Sequence, residues 1–404
     1  MPNLRKLNNM ELGVVGKPNV GKSTFFVAAT LAPADIQNYP FTTIKPNRGV
    51  GYVRVQCPDR EFKTQCTPRT GKCEEGTRFI PVELIDVAGL VPDAHKGKGR
   101  GNQFLDDLRQ ASAFVHVVDA AGRTNFEGNP TEGHDPLKDV EFLDLEISHW
   151  IMNIFSKGWD KRSKQIHMSG EKVERALEER LTGLGIKELM IADAIKNAAV
   201  PEVHLWTEDD RLRLSKEIRK LSKPMIIAAN KMDLAPKENL ERLKGLEKEG
   251  YMVIPCCAEY ELALRRAAKA GLINYNPGDD HFTINEGKTL NAAQKKGLDT
   301  VADYLKANGS TGVQRCLEEG VFKLLDLIAV FPVEDESKLT DKDGRVLPDA
   351  HLVPRGTTAK EVAFKVHTDL GNGFIRALNV RSRRTIGADY ECQNLDVIKI
   401  ISQK

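Results

Sequence analysis

The run Gly16-Lys17-Pro18-Asn19-Val20-Gly21-Lys22-Ser23-Thr24 fills the pattern Gly-x-x-x-x-Gly-Lys-Ser without a gap. The spacing suits a polyphosphate for a physical reason. Glycines let backbone N–H groups turn toward the charge, and a helix that begins at once aims its positive end at the same place. In that arrangement Lys22 reaches the β- and γ-phosphate oxygens and Ser23 ligates Mg2+. Residues 11 to 15 read as a short apolar strand and residues 24 to 31 as a first helix, so the loop has the strand-loop-helix setting it needs.

Two later segments supply what a γ-phosphate sensor requires. Residues 38 to 47, NYPFTTIKPN, form a polar, proline-flanked loop. By spacing, either Thr42 or Thr43 can close over the γ-phosphate and give Mg2+ another oxygen. A strand over 79 to 85 then ends in Asp86-Val87-Ala88-Gly89. Asp86 would hold Mg2+ through water, and the Gly89 N–H would meet the γ-phosphate. Leu90 stands where many GTPases carry the glutamine that orients the attacking water, so that route is closed. His116, within a strand over 114 to 119, is the first candidate to position water and His95 the second; a purely structural strand histidine is the alternative for His116.

A base-reading element lies further on. The apolar strand 224 to 229 runs into Asn230-Lys231-Met232-Asp233. A carboxylate at Asp233 accepts from the N1–H and exocyclic amine of guanine, a donor pair that adenine lacks, which favours GTP over ATP. Lys231 would lie along the base, and Asn230 would brace the phosphate loop. At the strand tip over 253 to 258 stand Cys257 and Ala258, with the Ala258 N–H facing guanine O6.

These motifs identify the chain as resembling the YchF-type proteins, relatives of the Obg GTPases. The resemblance rests on GKPNVGKST, NYPFTTIKPNRG, DVAGLV, GRGNQFLDDLR (99 to 109) and a C-terminal segment, and it spans residues 10 to 404. It implies an α/β P-loop NTPase fold, three-layered with a mainly parallel sheet, a helical insertion and a C-terminal β-grasp (TGS) domain. It assigns the switch threonine to Thr43, and it implies a K+ ion near Asn19 beside the phosphates, able to stabilise developing charge. Many YchF-type proteins carry glutamate at the base-reading position and accept ATP. This chain keeps the guanine-type NKMD and resembles the archaeal-like branch, although Cys257 replaces the usual serine.

The elements that position these groups follow from pattern and length. At 404 residues the chain exceeds one hydrophobic core. The expected division is 10–133 with 223–330 for the nucleotide domain, 134–222 for the helical insertion, and 331–404 for the β-grasp domain. Helical spacing marks 136 to 156, 170 to 182, 186 to 198 and 207 to 222 within the insertion, and a further helix over 311 to 328. In the last unit, strands are expected at 329–333, 345–347, 375–380 and 396–402, with a helix at 358–369.

Composition excludes several function classes. No apolar run is long enough to span a membrane, and the N-terminus lacks a signal-peptide core, so a cytoplasmic protein is expected. Fifty-nine basic against 57 acidic residues give +2, too little for binding nucleic acid by bulk charge, and no DNA partner is expected. The TGS resemblance points to the ribosome, rRNA or tRNA, reached through the β-grasp and helical domains. Arg376, Arg381, Arg383 and Arg384 are the candidate RNA-facing patch, and Lys157, Lys161, Arg162 and Lys164 read as a solvated helix end. Cys57, Cys66 and Cys73 fit no standard zinc-ribbon spacing and read as free loop cysteines; a three-cysteine metal site completed by a fourth ligand such as His95 is the alternative. The expected function is Mg2+-dependent hydrolysis of GTP to GDP. A nucleotide-gated regulatory module with incidental turnover and an ATPase of the same fold are the competing readings.

Overall fold

Strands buried on both faces read as unbroken apolar runs, and the segments VVDA, MIIAAN and LGVV do so because helices cover both sides of one sheet. The computed structural model describes residues 11–31, 48–87 and 107–403. Thr42, Thr43, Gly89, Leu90 and His95 lie outside them.

The main sheet contains β1 (Glu11–Val15), β2 (Arg48–Gln56), β3 (Lys72–Glu74), β4 (Thr77–Asp86), β5 (Ala111–Asp119), β6 (Met225–Asn230) and β7 (Met252–Pro255). Its order is β2-β4-β1-β5-β6-β7, with β3 added on β4. From β4 to β7 all neighbours are parallel, and only β2 and β3 run antiparallel to β4. β1 has β4 on one side and β5 on the other, so it ends at a switch in strand order, where parallel sheets bind ligands.

Side-chain alternation sends the two faces into different cores. Val15, Phe114, Val118 and Ile227 face one; Leu12, Val14, Val115, Val117 and Ile226 face the other. The second core also takes α1 (Lys22–Thr30), whose Phe25 and Ala29 are fully buried. Between β5 and β6 stand α2 (Pro136–Ser156), α3 (Trp159–Ser169), α4 (Val173–Leu181), α5 (Glu188–Ala198) and α6 (Glu208–Ser222), packed on the first core through Trp150, Trp159, Trp206 and Leu214. One helix more is present than the spacing indicated. Gly158 and Gly170, both at positive φ, bound α3, and buried Trp159 stacks on Trp206 with centroids 5.6 Å apart. The basic cluster therefore straddles the start of a separate helix, and Arg162 is engaged by Glu171 at 2.6 Å.

The α7 helix (Lys237–Gly245) links β6 to β7. After β7 come α8 (Ala258–Lys269), a small ribbon of β8 (Ile273–Asn274) and β9 (Thr283–Ile284), α9 (Ala292–Asn308) and α10 (Val313–Glu319). The helix expected over 311 to 328 ends early: one π-helical turn follows at Gly320–Leu324, Asp326 takes φ 50°, and a strand begins at Leu327. The apolar run Leu327–Val333 is β10, buried at every position. Its sheet is completed by β11 (His351–Pro354), β12 (Phe374–Asn379), β13 (Arg384–Ile386) and β14 (Asp396–Ser402) in the order β11-β10-β14-β12-β13. The α11 (Ala359–Val366) and α12 (Thr368–Asn372) helices accompany it. Residues 345–347 make only an isolated bridge from Val346 to Thr340, whereas β11 and β13 have no counterpart among the expected strands. The expected boundary after residue 330 falls inside β10. Alternate residues of this strand serve two cores: Ile328 and Val330 join the core that includes Ala359 and Val362 of α11, while Leu327, Ala329, Phe331 and Val333 join the core beneath the main sheet.

Candidate nucleotide-binding site

At the end of β1 the chain turns through residues 16 to 21 and enters α1 at Lys22. Gly21 adopts φ 91°, and a Cβ there would lie 2.4 Å from Asn230 Nδ2, so only glycine fits. The helix that follows has no side-chain cap and no acidic residue in its first turn. Its leading N–H groups and positive end are left to an external anion. Ser23 is exposed at this mouth.

Lys22 pairs with Asp86 Oδ1 at the end of β4. The β1–β4 register sets this contact, with Val14 opposite Asp86 and the Val87 N–H bonded to Val14 O at 3.0 Å. The expected phosphate lysine and the expected metal carboxylate are thus side by side.

Asn230 joins the site's two halves. From the end of β6 its Nδ2 donates to Val20 O at 2.9 Å, and its Oδ1 accepts from the Ala258 N–H at 3.0 Å. Lys231, at φ 62°, donates to Asn19 O at 2.9 Å and to Asp119 Oδ2 at 3.0 Å. Asp233 is exposed, and its Oδ1 accepts from Cys257 Sγ at 3.2 Å. Burial, reinforced by the Asp233 charge, raises the Cys257 pKa, so the thiol stays protonated and donates. The phosphate loop and the base loop are bonded to each other across 210 positions of sequence, with Lys22, Ser23 and Asp86 grouped at the first and Asp233 and Cys257 at the second.

Three of the expected site residues are engaged within the protein. His116 sits in the middle of β5, opposite Val15 and Ile227, and is 2% exposed. Burial, then the nearby Lys17 charge, pushes its pKa down to about 3, and its Nδ1 makes no hydrogen bond. The ring is buried under the phosphate loop beside a cavity lined by Gly16, Lys17, Asp139, Phe142 and Leu143. That burial fits the structural alternative read from the sequence. Lys17, counted with the phosphate-binding residues, buries its side chain: Nζ lies 2.8 and 2.7 Å from the two oxygens of Asp139 and 2.7 Å from Thr124 O. Only its backbone remains for a phosphate. The Ala258 N–H, expected to face guanine O6, is taken by Asn230 Oδ1, so Ala258 acts here as the far anchor of Asn230.

Several residues with a part in this site carry no motif. Asp119, fully buried at the tip of β5, accepts from the Ala121 N–H, the Thr124 hydroxyl and Lys231. Its signal was an acid at the end of an apolar strand. Gly128, at φ 84°, lies so close to Pro18 that a Cβ would come within 2.7 Å, and its carbonyl receives Asn19 Nδ2 at 2.9 Å. Asp139, near the start of α2, binds Lys17 and also His134 Nε2 at 2.8 Å.

Comparison with known proteins agrees with this geometry. Residues 11–154 match the family described as 50S ribosome-binding GTPase, residues 228–335 the Obg-like GTPase YGR210-like, G4 motif-containing domain, and residues 339–402 the TGS domain. A GTP-binding protein of Methanocaldococcus jannaschii is 52% identical over 392 residues, covering 97% of this chain and 98% of the relative. The chain belongs to the YchF/Obg-like GTPase family. A crystal structure of a GTP-binding protein from Pyrococcus horikoshii OT3 is 45% identical with a TM-score of 0.76, and the match covers 98% of this chain and 100% of that one. The ribosome-binding ATPase YchF of Escherichia coli O157:H7 is 29% identical over 380 residues, 91% of this chain and 87% of the relative. The fold is that of a P-loop GTPase with a mostly parallel sheet and a C-terminal TGS domain, and family membership carries guanine-nucleotide binding. Among the described residues no helix is long and apolar enough to cross a membrane.

Proposed function

We propose that this YchF/Obg-like protein hydrolyses GTP to GDP and phosphate with Mg2+ and uses the reaction as a conformational switch on the ribosome or its RNA, in the cytoplasm. The observation that carries this reading is the Asn230 clamp. One side chain ties the phosphate loop at Val20 to the base-side loop at Ala258, so the triphosphate and the purine are gripped by groups fixed to each other.

The residues suit the parts assigned to them. Lys22 exchanges Asp86 for the β- and γ-phosphate oxygens, which frees Asp86 to act with Ser23 and Thr43 in holding Mg2+. The metal would neutralise charge developing on the phosphates, and a K+ held by Asn19 would add to that. Asp233 accepts from guanine N1–H and its amine. Loss of the γ-phosphate releases Thr43 and Gly89. The insertion (134–222) and the C-terminal unit (331–404) would carry the change outward from a nucleotide domain built of 10–133 and 223–330. A ribosomal partner is supported by the names of the matched family and of the Escherichia coli relative. Of the four arginines considered for RNA, Arg381 is already bound to Glu61 at 2.7 Å, which leaves exposed Arg376, Arg383 and Arg384.

Competition binding of GTP, ATP and XTP to wild type and Asp233→Asn tests base reading. GTP affinity should fall about 100-fold or more in the variant while XTP binding improves, since a carboxylate placed for two base donors discriminates strongly. Unchanged preference, or wild-type preference for ATP, refutes the assignment. Turnover with purified ribosomal particles, stimulated in wild type and lost in Asp86→Ala, distinguishes an enzyme from a nucleotide-gated binding module.

A further inference from the structure

Away from the nucleotide site, the connection between β2 and β4 gathers three sulfurs and a carboxylate. Cys57 follows β2, Asp59 and Cys66 lie in the loop beyond it, and Cys73 is in β3. Their ligand atoms all lie within 4.8 Å of one another. Cys57 Sγ is 3.6 Å from Cys66 Sγ, and Cys73 Sγ is 3.5 Å from Asp59 Oδ2. We propose that Cys57, Asp59, Cys66 and Cys73 form a structural site for a thiophilic divalent cation, Zn2+ by ligand preference, which fixes this loop against the C-terminal domain.

Geometry and burial argue together. A tetrahedral Zn2+ with bonds of about 2.3 Å sets its sulfurs about 3.8 Å apart, close to the spacing already present. Cys57, Cys66 and Cys73 are free, as expected, but Cys57, Asp59 and Cys66 are only 2, 4 and 6% exposed, so the cluster is buried. Asp59 Oδ1 is buried without any hydrogen bond, and its Oδ2 receives a long contact from the Cys66 N–H at 3.4 Å and another from the Cys73 thiol. A carboxylate so poorly answered is costly to bury, and a bound cation removes that cost. Three sulfurs select a soft or borderline ion over Mg2+ or Ca2+. A bound cation would replace the thiol protons of the three cysteines. The site would carry net negative charge, and the buried Arg78 guanidinium stands 3.7 Å from Cys66 Sγ to offset part of it.

The location gives the site a purpose. The Thr67 N–H donates to Val346 O at 2.8 Å, and the Val346 N–H returns to Thr67 Oγ1 at 2.8 Å. Arg69 pairs with Asp341 at 2.7 Å and Asp349 at 3.2 Å, Arg78 donates to Leu347 O and Pro348 O, and Glu61 holds Arg381. All of these groups lie on or beside the loop closed by Cys57 and Cys73, so a cation there would hold one side of the interface in shape.

The test measures metal on the full chain purified under reducing conditions without added metal or chelator. About one Zn2+ per chain is expected by elemental analysis, lost in Cys66→Ser and kept in Cys392→Ser, whose sulfur lies outside the cluster. Chelator-stripped protein should take up Co2+ with tetrahedral visible bands and a thiolate charge-transfer band. Asp59→Asn, which keeps all three thiolates, should weaken metal retention against a chelator by at least about tenfold and alter the Co2+ spectrum. Reduced wild-type protein that holds no Zn2+ and gives no tetrahedral Co2+ spectrum overturns the proposal. A Cys57–Cys66 disulfide in anaerobically prepared protein does the same, and unchanged retention and spectrum in Asp59→Asn overturn the four-ligand assignment.

Discussion

Replacing Asp139 by alanine should destabilise the protein far more than its position beside a surface loop suggests. Lys17 and Asp139 are each 3% exposed, and Lys17 Nζ has three oxygens within 2.8 Å, two of them from Asp139. Burial is the largest influence on Lys17 and lowers its pKa; the hydrogen bond and charge of Asp139 are the main opposition. Without Asp139 the ammonium keeps only the Thr124 carbonyl, and removing one partner of a buried pair costs about 3 to 5 kcal/mol. The assay is urea unfolding followed by tryptophan fluorescence. Trp150, Trp159 and Trp206 are the chain's three tryptophans, and all lie in the core that α2 helps to form. At a slope of about 2 kcal/mol/M the midpoint should fall by about 1.5 to 2.5 M. Lys17→Met with Asp139→Leu, which removes both charges and keeps volume, should recover most of the loss, because an apolar pair can replace a buried ion pair at little cost. A midpoint shift below about 0.5 M for Asp139→Ala, or strict additivity in the double variant, refutes the reasoning.

Acid should weaken the fold through His116. Its folded pKa of about 3 lies below the unfolded value of 6.5, so the unfolded chain gains a proton first and stability falls as pH drops below 6.5. The loss from this group is about 2 kcal/mol by pH 5, and His116→Gln should flatten the dependence of unfolding free energy on pH; an unaltered slope counts against it. Asn230→Ala leaves the Val20 carbonyl and Ala258 N–H without their partner, about 1 to 3 kcal/mol. Displacement of a fluorescent guanine nucleotide should show affinity lower by about 10- to 100-fold, and unchanged affinity dismisses the clamp. Arg78→Met removes the donors to Leu347 O and Pro348 O; limited proteolysis should then cut residues 334–350 at least about tenfold faster, and equal rates would show that the buried guanidinium does not hold the interface.

Much of the fold was legible because its signals are local. The apolar strands before Gly16, Asp86 and Asn230 announce themselves by composition, and each ends where a functional group must stand at the edge of a parallel sheet. The phosphate loop and NKMD were readable for the same reason: Gly21 needs a left-handed backbone, and Asn230 needs a short amide. What failed to show depends on distant partners. Leu327 and Ile328 merge with the preceding helix in the sequence pattern, although they open the strand that runs to Val333. Both faces of that strand are buried, which erases the twofold alternation that marks a half-exposed strand. The α3 helix is hidden in the same way, since its charged face resembles a helix end and Trp159 and Ile166 alone mark its apolar side.

The illegible part of the site also points to how a signal can leave it. Lys17 occupies a variable position of the phosphate motif, so its side chain is free to be used elsewhere, and here it reaches 122 residues along the chain to the first turn of α2. Asn19 reaches Gly128, and Lys231 of the base loop reaches Asp119. These three side chains begin on the phosphate loop or the base loop and end on residues 119 to 139, the segment that leads from β5 into the insertion. On the proposed switch reading, a displacement of the phosphate loop by nucleotide would either break the buried Lys17–Asp139 pair, at a cost of several kcal/mol, or move α2 as well. Moving α2 with the loop would avoid that cost. On that switch reading, the same bonds that make the site stiff would make the insertion its reporter.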